Sequence, residues 1–249
     1  MQTRRATLSL AVLAAFSYCS NAQDTLESVQ RELAEKWSGV QSFSATMRVK
    51  ADVARSGISA KTDLTGPIVL ERTDDGRARY RSELEGKVKG GPFGILRFRL
   101  RMLTVSDGET VYAESRIRNK VSVLKTRPQQ KPDSSPGGGG ERLEAARQKH
   151  DLRLLPSGTL GGRPVYVIEG RPKADAASEM PEVARVLMYF DRETGIQLHI
   201  AALDKKDKPL TELSFTDVRL NPAVSPSIFR YTVPEGAEVV DKTQESGAN

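Results

Sequence analysis

The chain has very few of the residues on which most enzyme and metal sites depend. Its 249 residues include one cysteine, two histidines and one tryptophan. The cysteine, Cys19, lies near the start of the chain, so the rest has no thiol for a disulfide, a nucleophile or a metal. His150 and His199 have no cysteine partners and no H-x-x-x-H spacing, which argues against zinc. We therefore predict no metal site and no cofactor.

The motifs of the common catalytic and nucleotide-binding sites are also missing from the sequence. It contains no G-x-S-x-G nucleophile elbow, no P-loop and no G-x-G-x-x-G fingerprint. The glycine run 137–140 is followed by Glu141 and Arg142, which does not match a phosphate-binding loop. We predict that the protein is not an enzyme, and an enzyme acting on a lipid or glycan is the weaker alternative.

A third absence is an apolar run of the roughly 20 residues needed to span a bilayer. The N-terminus instead combines Arg4 and Arg5 with a shorter apolar stretch over residues 8–16 and small residues up to Ala22. This order is typical of a secretory signal peptide. We expect residues 1–22 to be a signal peptide cleaved after Ala22, so that the mature protein is exported.

The formal net charge of +6 is too small to indicate nucleic-acid binding. Cations nevertheless alternate with other residues in three segments, at Arg77, Arg79 and Arg81, at Arg97, Arg99 and Arg101, and at Arg116, Arg118 and Lys120. On paired strands these rows would share one sheet face. We favour a solvated outer surface for them, and the alternative is a dock for anionic lipid headgroups.

Apolar periodicity predicts an N-terminal helix followed by a mostly antiparallel sheet. Residues 24–40 have apolar positions at helical spacing, with Asp24 and Glu27 as a capping pair and Gly39 at the end. From Ser42 the period changes to two. Three strands at the C-terminal end are joined by turns at 191–195 and 204–209, with one slip near Asp217.

Two segments predict interruptions of this sheet. Gly66 and Pro67 should break one strand, which would run from Ile58 to Leu64, from the next, which would run from Ile68 to Arg72. Residues 126–140 are rich in Pro, Gly and Ser and should form a flexible loop. The polar helix predicted for Glu141–His150 would be either a lid or a surface helix.

These elements predict the fold class as α+β and mainly antiparallel β. We expect residues 23–249 to form one domain, a curved and unclosed β-barrel, or half-barrel, covered by the N-terminal helix and the short lid helix. An apolar cup of this kind suits a hydrophobic ligand, because affinity then comes from buried apolar area at roughly 25 cal/mol per Å².

Four segments, in order, resemble the outer-membrane lipoprotein carrier (LolA-like) family. They are the V-x-S-F-x-A pattern at 40–45, the G-x-(L/I)-x-x-x-R pattern at 66–72, the S-D-G-x-T-(L/V)-(W/Y) pattern at 106–112, and the ending from Phe229 to Asp241. The sequence departs from the family at Thr73, where proline is usual, and in a lid region with few large apolar residues.

The resemblance implies a periplasmic, eleven-stranded half-barrel that shields the acyl chains of a lipoprotein or lipid. It would receive them from a membrane or membrane-protein donor and pass them to a similar acceptor. In that family an arginine at the position of Arg72 latches the lid. The apolar lining residues would be Phe43, Met47, Ile68, Leu70, Tyr112, Met188 and Phe190. The alternative on the same fold is an envelope-stress sensor that binds a membrane-anchored protein partner.

Overall fold

The computed structural model of the protein describes residues 24–55, 58–73, 77–92, 95–128 and 138–244. The predicted signal peptide and residues 129–137 of the predicted loop lie outside these ranges. The described residues form three α-helices, α1 (Leu26–Ser38), α2 (Gly139–Lys149) and α3 (Ala174–Glu179). None of the helices in these ranges is long and apolar enough to cross a membrane.

Twelve strands form a single sheet in the described part of the chain. They are β1 (Ser42–Arg55), β2 (Ile58–Arg72), β3 (Ala78–Pro92), β4 (Leu96–Ser106), β5 (Val111–Ile117), β6 (Lys120–Thr126), β7 (His150–Leu160), β8 (Arg163–Pro172), β9 (Arg185–Asp191), β10 (Gln197–Leu203), β11 (Pro209–Leu220) and β12 (Glu238–Asp241). Their order in the sheet is β12-β6-β5-β4-β3-β2-β1-β11-β10-β9-β8-β7.

The sheet consists of two antiparallel meanders that join where β1 pairs with β11. Strands β1–β6 form one half and β7–β11 the other, and the two edge strands among the described residues, β12 and β7, do not pair with each other. This confirms the predicted fold class of an open, mainly antiparallel half-barrel. The resemblance implied eleven strands, and the twelfth is β12, which runs parallel to β6.

The predicted break at Gly66 and Pro67 is wrong, because β2 runs unbroken from Ile58 to Arg72. Its pairing with β1 continues through both residues, whereas the ladder to β3 skips them. The skip suits Pro67, which has no N–H to donate. A Cβ on Gly66 would lie 1.8 Å from the Glu83 carbonyl oxygen. The two residues therefore permit a close approach of β2 and β3 without ending the strand.

Helix α1 packs its apolar side on one face of the sheet, which we call the inner face. Val29, Leu33 and Trp37 are buried there, at 2% exposure or less. The helix begins with a capping box in which Thr25 Oγ1 accepts from the Ser28 N–H at 3.1 Å and Ser28 Oγ accepts from the Thr25 N–H at 2.9 Å. The predicted Asp24–Glu27 capping pair is therefore wrong by one residue. The hydroxyl groups of Thr25 and Ser28, and not the predicted carboxylates, accept from backbone N–H groups at the start of the helix.

After β11 the chain crosses the outer face of the first meander. A short 3₁₀ helix, Pro226–Phe229, buries Phe229 beneath the Arg79 guanidinium, whose carbon lies 5.3 Å from the ring centre. Tyr231 then stacks on Tyr112 with ring centres 4.9 Å apart and donates to Glu114 at 2.9 Å. The C-terminal tail thus straps the outer face before β12 joins the sheet.

Candidate functional site

The structure places six of the seven predicted lining residues on the inner face of the sheet. Phe43, Ile68 and Leu70 lie in one core cluster, with Met47 packed at its margin. Met188 and Phe190 lie in a second cluster. Tyr112 is not brought to this face, because the strand register puts it with Arg81 and Val105 on the outer face.

Helices α1 and α2 occupy the space in front of most of these residues. The first cluster includes Trp37 of α1, and the second includes Leu33 of α1 and Leu143 of α2. The five predicted residues in the two clusters are 3% exposed or less. The inner face of β1, β2, β8 and β9 is therefore filled by side chains of the protein itself.

Three consecutive glycines seat α2 against α1 and the sheet. A Cβ on Gly138 would lie 2.6 Å from Trp37 Nε1, one on Gly139 would lie 2.3 Å from the carbonyl oxygen of Gly195, and one on Gly140 would lie 2.6 Å from the Ala34 Cβ. The helix begins at Gly139, two residues before the predicted Glu141. These glycines, which we predicted to belong to the flexible loop, are buried and allow the close helix contact.

Arg72, the predicted latch position, contacts both helices from the end of β2. Its guanidinium carbon lies 5.1 Å from the centre of the Trp37 ring, and its Nη2 lies 3.7 Å from Glu141 Oε1. The family resemblance identified Arg72 as the latch position, but the sequence did not predict its contact with the Trp37 ring. The buried Trp37 Nε1 has no hydrogen-bond partner among the described residues.

Helix α2 is held largely by polar contacts at its edges. Gln30 donates to Glu144 at 2.8 Å and accepts from Arg147 at 2.9 Å. Arg142 donates to the buried Gln197 side chain at 2.9 Å. Beyond its glycines, Leu143 is the buried residue of this helix. Burying one leucine contributes about 1.5–3 kcal/mol, so little apolar burial opposes movement of α2 away from the sheet.

The inner face of β4–β6 is not covered by a helix in the described part of the chain, and it contains a cavity of about 710 Å³. Leu96, Phe98, Ser115, Ile117 and Ser122 are among its lining residues, and the register places all five on the inner face. Leu96 is 53% exposed and Ile117 is 39% exposed. The sequence signal for this cavity is the alternation on β4, where apolar side chains lie between the arginines. Our prediction from that alternation concerned only the arginines.

The predicted basic rows lie on the outer face except for Arg118, which is in the β5–β6 turn, and Lys120, which stands opposite Ile117 on the inner face. Most cations of these rows are paired with carboxylates. Arg79 pairs with Glu71 at 2.5 Å, and Arg81 and Arg101 both contact Glu83. The hydrogen bond from Arg81 is the main reason that the pKa of Glu83 lies below its ordinary value. Further pairs in these rows are Arg77–Glu109, Arg99–Glu85 and Arg116–Glu114. Arg97 has no carboxylate within 4.0 Å among the described residues.

The buried carboxylates of the second meander are also engaged in ion pairs. Asp191 accepts from Arg163 at 2.6 Å and from the Thr194 N–H at 3.2 Å. Burial would raise its pKa, but these hydrogen bonds outweigh burial and hold the pKa below its ordinary value. Burial likewise opposes ionisation of Glu169, and hydrogen bonds from Arg171 and Arg185 hold its pKa below the ordinary value. Both groups are therefore structural anions and not proton donors at neutral pH.

The two histidines do not converge on a site. His150 ends α2, and burial lowers the pKa of its imidazole. His199 lies half-buried on the outer face, with its ring centre 5.4 Å from that of Tyr189. Within the described ranges no three His, Cys, Asp or Glu side chains form a group that could hold a metal ion.

No protein-family model matches this chain, and no curated protein matches its sequence. Solved structures do match it. The MucA/MucB complex of Pseudomonas aeruginosa matches with 19% identity over 82% of this chain and 60% of that chain, at a TM-score of 0.44. An uncharacterized conserved protein from Thermus thermophilus matches with 15% identity over 87% and 98%, at 0.48. A LolA superfamily protein from Nitrosomonas europaea matches with 9% identity over 84% and 99%, at 0.31.

One of these matches is thus a member of the superfamily that the sequence resembles. The chain spans about 60% of the length of the MucB structures it matches. The likeness concerns the fold alone. At these identities and TM-scores it carries no argument about ligands, partners or activity.

Proposed function

We propose that the protein is a periplasmic carrier or binding protein that holds acyl chains of a lipoprotein or lipid against the inner face of its sheet and passes them towards the outer membrane. The observation that carries the proposal is the uncovered, apolar part of the inner face on β4–β6. Its cavity of about 710 Å³ is within the usual range for small-molecule sites, about 300–1,000 Å³.

The covered part of the inner face would extend this cavity when both α1 and α2 move, because Trp37 of α1 covers the first cluster and Leu143 of α2 belongs to the second. Phe43, Ile68, Leu70, Met188 and Phe190 lie beneath the helices in a continuous sheet with the open part. The contact of Arg72 with Glu141 is only partly buried, so it stabilises the closed arrangement by at most about 1 kcal/mol. An acyl chain that replaces α2 against the sheet would also have to compensate for its hydrogen bonds to Gln30 and Gln197 and for the burial of Leu143.

This function needs no chemical step. Apolar area removed from water supplies the affinity, and polar residues at the rim keep the headgroup in solvent. Secretion through the predicted signal peptide would place the protein in the compartment between the two membranes. The alternative, an envelope-stress sensor on the same fold, would use these surfaces to bind a membrane-anchored protein.

Native mass spectrometry of the mature protein, purified from an envelope extract without detergent, tests the proposal. We expect bound acyl species, identified after release. The variant Phe98→Ser should lower the bound fraction, because Phe98 lines the cavity. Leu103→Ser is the matched control, since Leu103 lies on the same strand but faces outward, opposite Glu83.

A lipid-free mass together with no binding of a hydrophobic dye would contradict the carrier proposal. If the protein is lipid-free and one specific protein partner co-purifies with it, the sensor alternative is favoured. Equal lipid loss in Phe98→Ser and Leu103→Ser would place the lipid somewhere other than the cavity of β4–β6.

A further inference from the structure

Five cations at one end of the first meander have no ion-pair partner among the described residues, and we call this group the basic end. Its members lie on β3, on β4 and at the β5–β6 turn, and they are Lys87, Lys89, Arg97, Arg118 and Lys120. All five are exposed, and within the described part of the chain none has a carboxylate within 4.0 Å. The basic end therefore carries positive charge that these parts of the protein do not neutralise.

The strand register concentrates this charge further. Lys89 stands opposite Arg97 on β4 and opposite Lys61 on β2, whereas Lys87 stands between Arg99 on β4 and Asp63 on β2. Like charges directly opposite each other on neighbouring strands are destabilising. Lys61 and Arg99 are paired with Asp52 and Glu85, so the opposition of Lys89 and Arg97 is the one that costs stability in the free protein. An anionic partner would relieve this repulsion.

Cations on the outer face of the rest of the first meander are arranged differently. Towards the other end of β3, Arg79 pairs with Glu71 and Arg81 pairs with Glu83. The basic end is thus a local feature of the sheet and does not simply reflect the net charge of +6.

Exposed apolar side chains lie at the same end of the sheet. Ile95 is 73% exposed just before β4, followed by Leu96 at 53%, and Ile117 is 39% exposed at the end of β5. Leu96 and Ile117 line the cavity together with Arg97, Arg118 and Lys120. Apolar residues flanked by unpaired cations are typical of surfaces that bind the headgroup region of a bilayer.

We propose that the basic end and Ile95 dock on the surface of an anionic phospholipid bilayer. This inference rests on the proposed function, because docking matters for acyl-chain transfer only if the cavity holds acyl chains. Docking would bring the mouth of the cavity to the headgroups. Glu238 is the one carboxylate among the described residues that line the cavity, so the mouth keeps an excess of positive charge. An acyl chain could then pass between bilayer and cavity with little exposure to water.

Sedimentation with vesicles tests the docking directly. We expect the mature protein to bind vesicles of phosphatidylcholine and phosphatidylglycerol, to bind pure phosphatidylcholine vesicles much more weakly, and to lose affinity as salt is raised. Each cation near an anionic surface contributes roughly fivefold to the affinity, so Lys87→Gln with Lys89→Gln should weaken binding roughly 25-fold. Ile95→Ser should weaken it further by removing the apolar contact.

The matched control is Lys205→Gln with Lys206→Gln, which removes the same charge from an exposed turn in the other meander. It should retain nearly wild-type binding. Equal binding to neutral and anionic vesicles, or an equal loss in the two double variants, would overturn the docking proposal.

Failure of docking and failure of the carrier function are distinguishable. Lys87 and Lys89 do not line the cavity, so their double variant should keep its bound lipid in native mass spectrometry. Phe98→Ser should lose lipid but keep vesicle binding. Lipid retained without vesicle binding by the wild type would overturn docking alone, and vesicle binding by a lipid-free wild type would contradict the carrier function alone.

Discussion

Substituting Gly140 by alanine tests the close packing of α2 on α1, on which the covered half of the site depends. The added Cβ would lie 2.6 Å from the Ala34 Cβ, 2.8 Å from its Cα and 3.0 Å from its nitrogen. Two of these atoms belong to the backbone, so no side-chain rotation relieves the contact. Overpacking of this kind costs about 1–3 kcal/mol. The better helix propensity of alanine returns at most about 1 kcal/mol.

We therefore expect Gly140→Ala to destabilise the protein by about 1–2 kcal/mol. For a domain of this size the melting temperature should fall by roughly 2–8 °C, measured by circular dichroism. If α2 moves to relieve the contact, the fluorescence of the single tryptophan, Trp37, should change and binding of a hydrophobic dye should increase.

The control for this prediction is Gly39→Ala. Gly39 follows α1 at a φ of −83°, and its added Cβ would have no atom within 4 Å. That variant should keep the wild-type melting temperature. If Gly140→Ala were as stable as the wild type, with unchanged Trp37 fluorescence, α2 would not pack on α1 as described.

Three further variants test other contacts. Arg72→Gln should lower stability by about 1 kcal/mol and shift Trp37 fluorescence, and Arg72→Lys should not restore the ring contact. Asp191→Asn should cost about 2–3 kcal/mol near neutral pH. The pKa of Asp191 is lower in the folded than in the unfolded protein, where it is about 4. The stabilisation from its ion pair is therefore complete above the unfolded pKa and is lost as pH falls through the folded pKa. The stability of Asp191→Asn should accordingly depend less steeply on pH in the acid range than that of the wild type. Tyr231→Phe should cost about 1–3 kcal/mol in urea unfolding by leaving the buried Glu114 without its hydroxyl donor, and an unchanged midpoint would mean that the strap does not depend on this bond.

Strand periodicity predicted much of the fold because each face of this sheet has a distinct environment. The apolar alternation from Val186 to Val218 corresponds to β9–β11 in the structure. The predicted slip near Asp217 is a bulge, where Asp217 adopts a φ of 52° and the pairing with β1 shifts register. The prediction of a strand break at Gly66 and Pro67 was wrong because residue propensities carry no information about how closely the neighbouring strand β3 approaches.

The candidate site was harder to predict than the sheet. Alternation on β4 separates Phe98 from Arg97, but it cannot tell which part of an apolar face the helices cover. The glycines at 138–140 have the composition of a flexible loop, and only the position of Ala34 on the facing helix shows why small residues are needed there. Tyr112 illustrates the same limit, since one step of register decides which face a side chain joins.

The pairing of β1 with β11 has a consequence for how the protein folds. β1 is among the first elements to leave the ribosome, but its second neighbour is the last long strand of the chain. Until residues 209–220 are synthesised, β1 is an open edge on which another chain can add. The strap from Phe229 to β12 can form only after that. Refolding should therefore be slow, on the order of milliseconds to seconds or longer, and sensitive to protein concentration.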